Sequence, residues 1–279
     1  MSNSSSLSYR SLLIPHFLEV LKIMDEVFTT YNTPYYLIGV NATDLQLLKE
    51  GIKPSRGTKD IDFAVMLSSF AEYNKITDAL EEKGFRKAKD PFTLYHAALN
   101  VAIDVLPFGQ IEENGTINFT EREVIMNVLG FKETLTESTD VSVDETFSIQ
   151  VPPLHGMVVL KLIAWSDRPE IRATDLDDIY RIVKHYFHVE SETIFNEHFD
   201  LLGIEPFNEL LIAARVLGRN ISKVLNKSVR LKKRVLAVLT ENTSDPAKSS
   251  IGKHWAGKYQ IDVEYAINIL QCIKTGIEE

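Results

Sequence analysis

The chain has 279 residues, 44% of them hydrophobic and 25% charged, with a net charge of −9 and one cysteine, Cys272. That composition argues against wholesale disorder and excludes an internal disulfide framework and a cysteine-built zinc cluster. Residues 1–150 carry 13 Lys+Arg against 22 Asp+Glu, whereas residues 151–279 carry 17 of each, so the whole deficit lies in the first half and two regions of different character are expected.

The start, residues 1–8, is polar and serine-rich without a basic leader, and 12–21 is broken by Pro15, His16 and Glu19. No apolar run approaches the roughly 20 residues of a membrane span. A soluble, cytoplasmic protein with no membrane partner is expected. A first helix is predicted over 9–30, where Leu13, Phe17, Val20, Leu21, Met24 and Phe28 recur at helical spacing. Asn32-Thr33-Pro34 ends it, a short strand follows over 35–38, and Gly39 stops the strand. Asn41 or Thr43 is suited to cap a helix to about Glu50, and 51–59 reads as a loop.

Next comes a strand over 60–66, in which Ile61, Phe63 and Val65 alternate with Asp60, Asp62 and Ala64. A helix over 69–83 closes at Gly84. A second alternating run, Leu99, Val101, Ile103 and Val105 against Asn100, Ala102 and Asp104, predicts a strand over 99–105. A last strand over 147–151 leads into Pro152-Pro153. Alternating strands and helices argue for an α/β sheet domain over 1–151. Beyond it the strand signals stop. Helices are expected at 153–166, 173–187, 190–199, 205–226, 228–241 and 260–275, which makes 152–279 an all-helical C-terminal domain, with 242–257 loose.

Asp60-Ile61-Asp62 is the most informative feature. On a strand, residues i and i+2 point the same way, so both carboxylates project from one face. Two like charges held that close are costly unless a cation lies between them, and a sulfur-free, oxygen-rich set suits Mg²⁺ or Mn²⁺. Asp104 is a lone acid on an otherwise apolar strand. If that strand neighbours the first, three carboxylates converge, enough to hold metal ions for an in-line phosphoryl displacement. Read alone, the same pattern is also that of a solvated strand face.

Two flanking features raise the metal reading. Leu37-Ile38-Gly39 ahead of a helix lets backbone N–H groups approach a phosphate, and Arg56-Gly57-Thr58-Lys59 directly precedes the aspartates. The order strand, glycine turn, helix, then Arg-x-Thr-x-Asp-Ile-Asp-Phe resembles the nucleotidyltransferase superfamily of the DNA polymerase β type. More narrowly it is similar to the abortive-infection (AbiEii-like) nucleotidyltransferase toxins. Downstream, Lys161, Arg168 and Thr174-Asp175-Leu176-Asp177-Asp178 are similar to that family's second signature. The resemblance covers roughly 35–185. Three departures are visible: Val40 where the family has a second Gly or Ser, a longer gap from Gly39 to Asp60, and Thr174 for the family's lysine.

The resemblance implies a nucleotidyltransferase-type fold, a small mixed sheet flanked by helices, whose helical C-terminal domain closes the cleft. It implies transfer of a nucleoside monophosphate from a nucleoside triphosphate to an acceptor hydroxyl on RNA, such as a tRNA end, or on a protein, with an antitoxin as a further partner. Asp60 and Asp62 would hold Mg²⁺ or Mn²⁺, and Asp104 would complete the metal site and help deprotonate the acceptor. Gly39, Asn41 and Thr58 would border the nucleotide, Arg56, Lys161 and Arg168 would offset its charge, and Asp178 would orient Lys161. Two other readings stay open: a small cationic acceptor such as an aminoglycoside, drawn by the acidic first half, and a nucleotide- or RNA-binding module whose turnover Val40 has removed.

Lys161 also has a plainer reading. It stands among Val158, Val159, Leu160, Leu162 and Ile163, and an interhelical salt bridge to Asp175 or Asp178 would satisfy it. Residues 210–240 hold eight basic residues and no acid. Arg215, Arg219, Lys223 and Lys227, spaced by four, drift about 40° per step along one helix. They form either a solvated face or a track for an RNA backbone.

Overall fold

A left-handed kink interrupts the stretch 9–30, where a continuous helix was expected. The computed structural model describes residues 9–54, 57–58, 60–203 and 205–279. Tyr9–Leu12 forms one 3-10 turn, and helix α1 starts only at Phe17, running Phe17–Thr30. Leu13 and His16 take φ of 58° and 54° around Pro15, and no helix passes through such a break. From Phe17 on, the periodicity holds, and Phe17, Val20, Leu21, Met24, Val27 and Phe28 are buried.

The chain then gives β1 (Tyr35–Ile38), α2 (Gly39–Lys49), β2 (Asp60–Leu67), α3 (Phe70–Glu82), β3 (Phe85–Lys87), β4 (Thr93–His96) and β5 (Val101–Gly109). Sheet order is β1-β2-β5-β4-β3. Strands β2 and β5 pair in parallel and every other neighbouring pair is antiparallel. The expected small mixed sheet is therefore present. Ile61, Phe63, Val65, Val101, Ile103 and Val105 are buried along its central pair, and the tilted rings of Phe28, Tyr35 and Phe63 cluster between α1 and the sheet at centroid distances of 4.7–6.4 Å. Helix α3 is capped by Ser69, whose Oγ accepts from the Glu72 amide, while the Glu72 carboxylate accepts from the Ser68 amide.

Strand β5 runs four residues past its expected end, through Pro107. Val105 donates its amide to Phe92, so position 107 faces the same edge, where β4 has already begun at Thr93 and offers no partner. The missing proline N–H therefore costs no ladder bond. Two small hairpins complete the first part: β6 (Thr116–Phe119) with β7 (Val124–Asn127), then the short helix α4 (Phe131–Leu135), then β8 (Thr139–Ser142) with β9 (Ser148–Val151).

The remainder is helical: α5 (Leu154–Asp167), α6 (Ala173–Val189), α7 (Ser191–Glu197), α8 (Glu209–Leu225), α9 (Val229–Thr243), α10 (Ser250–Tyr259) and α11 (Val263–Glu278). The chain divides into two compact units, one ending at Pro153 and the other Leu154–Glu279. Helix α10 replaces part of the expected loose segment. Ser249 caps it through the Gly252 amide, Asn242 accepts from the Ile251 amide, and Trp255 is fully buried with its indole N–H on the Leu176 carbonyl. No helix among the described residues is long and apolar enough to cross a membrane.

Candidate functional site: a carboxylate triad on the parallel strand pair

Parallel pairing of β2 with β5 sets Asp62 directly opposite Asp104, and Asp60 lies two residues before Asp62. Period-two geometry then turns all three side chains to the same face. Asp60, Asp62 and Asp104 each offer an oxygen within 4.8 Å of the others; Asp60 is exposed and the other two are half-buried. Three anions this close repel one another strongly. The donor set is all oxygen, which fits a hard divalent cation such as Mg²⁺ or Mn²⁺.

Each carboxylate has its own support. Thr58 donates its hydroxyl to Asp60 Oδ1. Thr93, opposite Asp104 in the β4–β5 register, donates its hydroxyl to Asp104 Oδ1 at 2.5 Å. Asp62 lies against Gly39, which follows Ile38, the β1 partner of Asp62. Gly39 has φ of +71°, and a Cβ there would stand 1.9 Å from Asp62 Oδ2, so both backbone and space demand glycine. Helix α2 thus starts on the triad itself, earlier than Asn41 or Thr43 would have capped it, and no side chain caps its first turn. Its amide dipoles leave partial positive charge beside the carboxylates.

Asn41 is 1% exposed and its side-chain amide donates to the Asp60 backbone carbonyl at 2.9 Å. It ties the first turn of α2 to the start of β2. Tyr73 reaches β5, the strand of Asp104, its hydroxyl donating to the Pro91 and Val105 carbonyls. Burial, and next the charge of Asp104, push its phenol upward in pKa. Arg56 lies outside the described residues. Thr93 escaped the sequence reading because β4 shows no apolar alternation, and only its register reveals the contact.

In the helical unit, Lys161 is 6% exposed and bonds Asp178 at 2.7 Å and Asp175 at 3.1 Å. Burial pulls the ammonium's pKa down, but Asp178 and then Asp175 outweigh it and the net shift is upward. The other Asp175 oxygen faces Arg172 at 3.5 Å. The lysine is thus held charged between α5 and α6, in the interhelical bridge anticipated from sequence. Arg168 lies seven residues beyond Lys161. It follows the last residue of α5 and is exposed.

The cationic row on α8 is partly occupied from within the chain. Arg215 and Arg219 both bond Glu279, and Arg219 also binds Asp200 through two hydrogen bonds at 2.6 and 2.9 Å. Lys223 donates to Asn220 at 2.9 Å. Packing of α11 on α8 brings Glu279 back to residues some sixty positions earlier, which no local pattern in 210–240 announces. Of the four expected cations, Arg215 and Arg219 are therefore ion-paired within the chain, and Lys227 lies beyond the end of α8.

A mixed sheet with three acids on its parallel pair, entered by a helix that begins at a tight glycine, has the architecture of the nucleotidyltransferase class. Residues 47–230 match the family described as nucleotidyl transferase AbiEii toxin, Type IV TA system, and the chain belongs to that family. No curated protein matches the sequence. Among solved structures, it is similar to a nucleotidyltransferase-like antigen of Paracoccidioides brasiliensis, with TM-score 0.41 and 14% identity over 82% of this chain and 94% of that one. The antibiotic-resistance factor ANT(2'')-Ia gives 0.36 and 11% over 66% and 97%. The Thermotoga maritima CCA-adding enzyme, solved with tRNA, gives 0.31 and 14% over 95% and 64%.

Proposed function

We propose that this protein transfers a nucleoside monophosphate from a nucleoside triphosphate to an acceptor hydroxyl, as a toxin-type component of a toxin–antitoxin system. The observation that carries this reading is the convergence of Asp60, Asp62 and Asp104 beneath the uncapped first turn of α2. Asp60, Asp62 and Asp104 would hold Mg²⁺ or Mn²⁺, which when bound supplies the positive charge that offsets the triphosphate. Gly39 and the first turn of α2, Asn41 included, border the phosphates. Asp104 takes the proton of the acceptor hydroxyl as its oxygen bonds the α-phosphorus and pyrophosphate leaves. Roles for Thr58 and Arg56 beside the nucleotide, for Lys161 and Arg168 in offsetting its charge, and for Asp178 in orienting Lys161 rest on the family signature. Catalysis of this kind is mostly positioning and charge neutralisation.

The acceptor is read as RNA or protein from the family. The test is incubation with each labelled nucleoside triphosphate, Mg²⁺ or Mn²⁺, and a mixture of tRNA, total protein and an aminoglycoside. Label on tRNA or protein is expected, and Asp62→Asn should lose it. Label on the aminoglycoside would move the substrate to small cations. Nucleotide binding without transfer to any acceptor would reduce the protein to a binding module.

A further inference from the structure

The helical unit has equal numbers of basic and acidic residues, yet they are segregated. Residues 190–209 hold six acids and no Lys or Arg. In that stretch Phe195 is 59% exposed and Phe207 51%. Both rings stand edge-on to Phe187, at centroid distances of 6.1 and 6.2 Å, so they form one exposed aromatic knob. Glu192, Glu197, Glu205 and Glu209 are exposed beside it in the chain. A contiguous exposed aromatic cluster of this kind marks an interaction surface.

The opposite chemistry lies a few turns later. An open groove of about 890 Å³ at the α8–α9 junction is lined by Leu225, Val229 and Leu236 together with Lys232 and Lys233; one acid, Glu241, also lines it. Val229 is 87% exposed. Residues 223–234 carry six Lys+Arg and no acid. An apolar floor without aromatics offers neither base stacking nor a polar path for a phosphate backbone. Its natural occupant has apolar side chains framed by negative charge, which is the composition of the Phe195–Phe207 knob.

We infer that the two surfaces are partners and that copies of this chain associate through them, the acidic aromatic knob of one copy seating in the basic apolar groove along α9 of another. Burial of the phenyl rings supplies the attraction and the rim charges set which surfaces meet. Each copy carries both surfaces, so the contact forms head to tail or reciprocally.

The test is the average mass of the full chain by sedimentation equilibrium. At low salt the mass should rise above that of a monomer with concentration, and the rise should shrink toward about 1 M salt, where charges are screened beyond about 3 Å. Glu192→Lys/Glu197→Lys/Glu205→Lys should lose association, and so should Lys232→Glu/Lys233→Glu. An equimolar mixture of the two should regain it, because each knob then faces a groove of opposite sign. Phe195→Ser/Phe207→Ser, which keeps every charge, should also lose it and stands in if a charge variant melts below the parent. A parent that stays monomeric, variants that associate as the parent does, or a mixture no heavier than its components would overturn the inference. A monomeric parent whose tRNA binding is lost in Lys232→Glu/Lys233→Glu would assign the groove to RNA instead.

Discussion

Asp60 and Asp104 each accept a threonine hydroxyl, and Asp62 packs into the space that Gly39 leaves by having no Cβ. A carboxylate free to rotate loses entropy on binding a cation, so these contacts pre-align the donors. Thr93→Val removes the hydroxyl on Asp104 without changing volume much, and should weaken Mn²⁺ binding by about tenfold. Thr93→Ser keeps the donor and should bind as the parent does. Calorimetric titration with Mn²⁺ reads both, and equal affinity in the valine variant would remove Thr93 from the site. The aspartates were legible in sequence because period two is a local property. Thr93 was not, because its role depends on which strand lies beside β5.

Helices α8 and α11 cross at two glycines. A Cβ on Gly276 would stand 2.1 Å from the Arg215 carbonyl oxygen, and one on Gly218 2.1 Å from that of Ile273. Gly276→Ala should therefore lower stability by about 2 kcal/mol, as overpacking against a rigid backbone outweighs the roughly 1 kcal/mol that alanine adds to a helix. A rise in the denaturation midpoint would mean that the helices are not this close. The same helix pair holds Glu279 against Arg215 and Arg219. Hydrogen bonds from Arg219 hold Asp200 below its ordinary 3.8. Burial alone would raise Glu279, but its bonds to Arg215 and Arg219 bring it below 4.5. Depressed carboxylates stabilise the fold above their unfolded values and lose that contribution as pH falls through the folded ones. Stability should thus decline below about pH 4.5. Glu279→Gln should be less stable at neutral pH and decline less on acidification. Parallel acid titrations followed by circular dichroism would show it, and identical profiles would mean that the cluster contributes nothing.

For the whole molecule, the triad couples cation binding to stability. Mn²⁺ at a hundred times its dissociation constant should stabilise the chain by about 2.7 kcal/mol. Asp62→Asn should lose that response, and without metal it should melt no lower than the parent, because one of three mutually repelling charges is gone. Thermal melts with and without Mn²⁺ decide it; a metal-free variant that melts well below the parent would make Asp62 a structural acid. Local periodicity alone was enough to determine the α/β start, the helical remainder and the Asp-x-Asp strand, since each is a property of neighbouring residues, whereas the family likeness was legible in the motifs around Gly39, Asp60 and Lys161. Where α1 begins, how far β5 extends past Pro107, the pairing of Thr93 with Asp104 and the capture of Arg215 and Arg219 by Glu279 were decided only in three dimensions. Each depends on partners 11 to 64 residues away or on backbone torsions at a kink, and a strand or helix pattern has no memory of what will lie beside it.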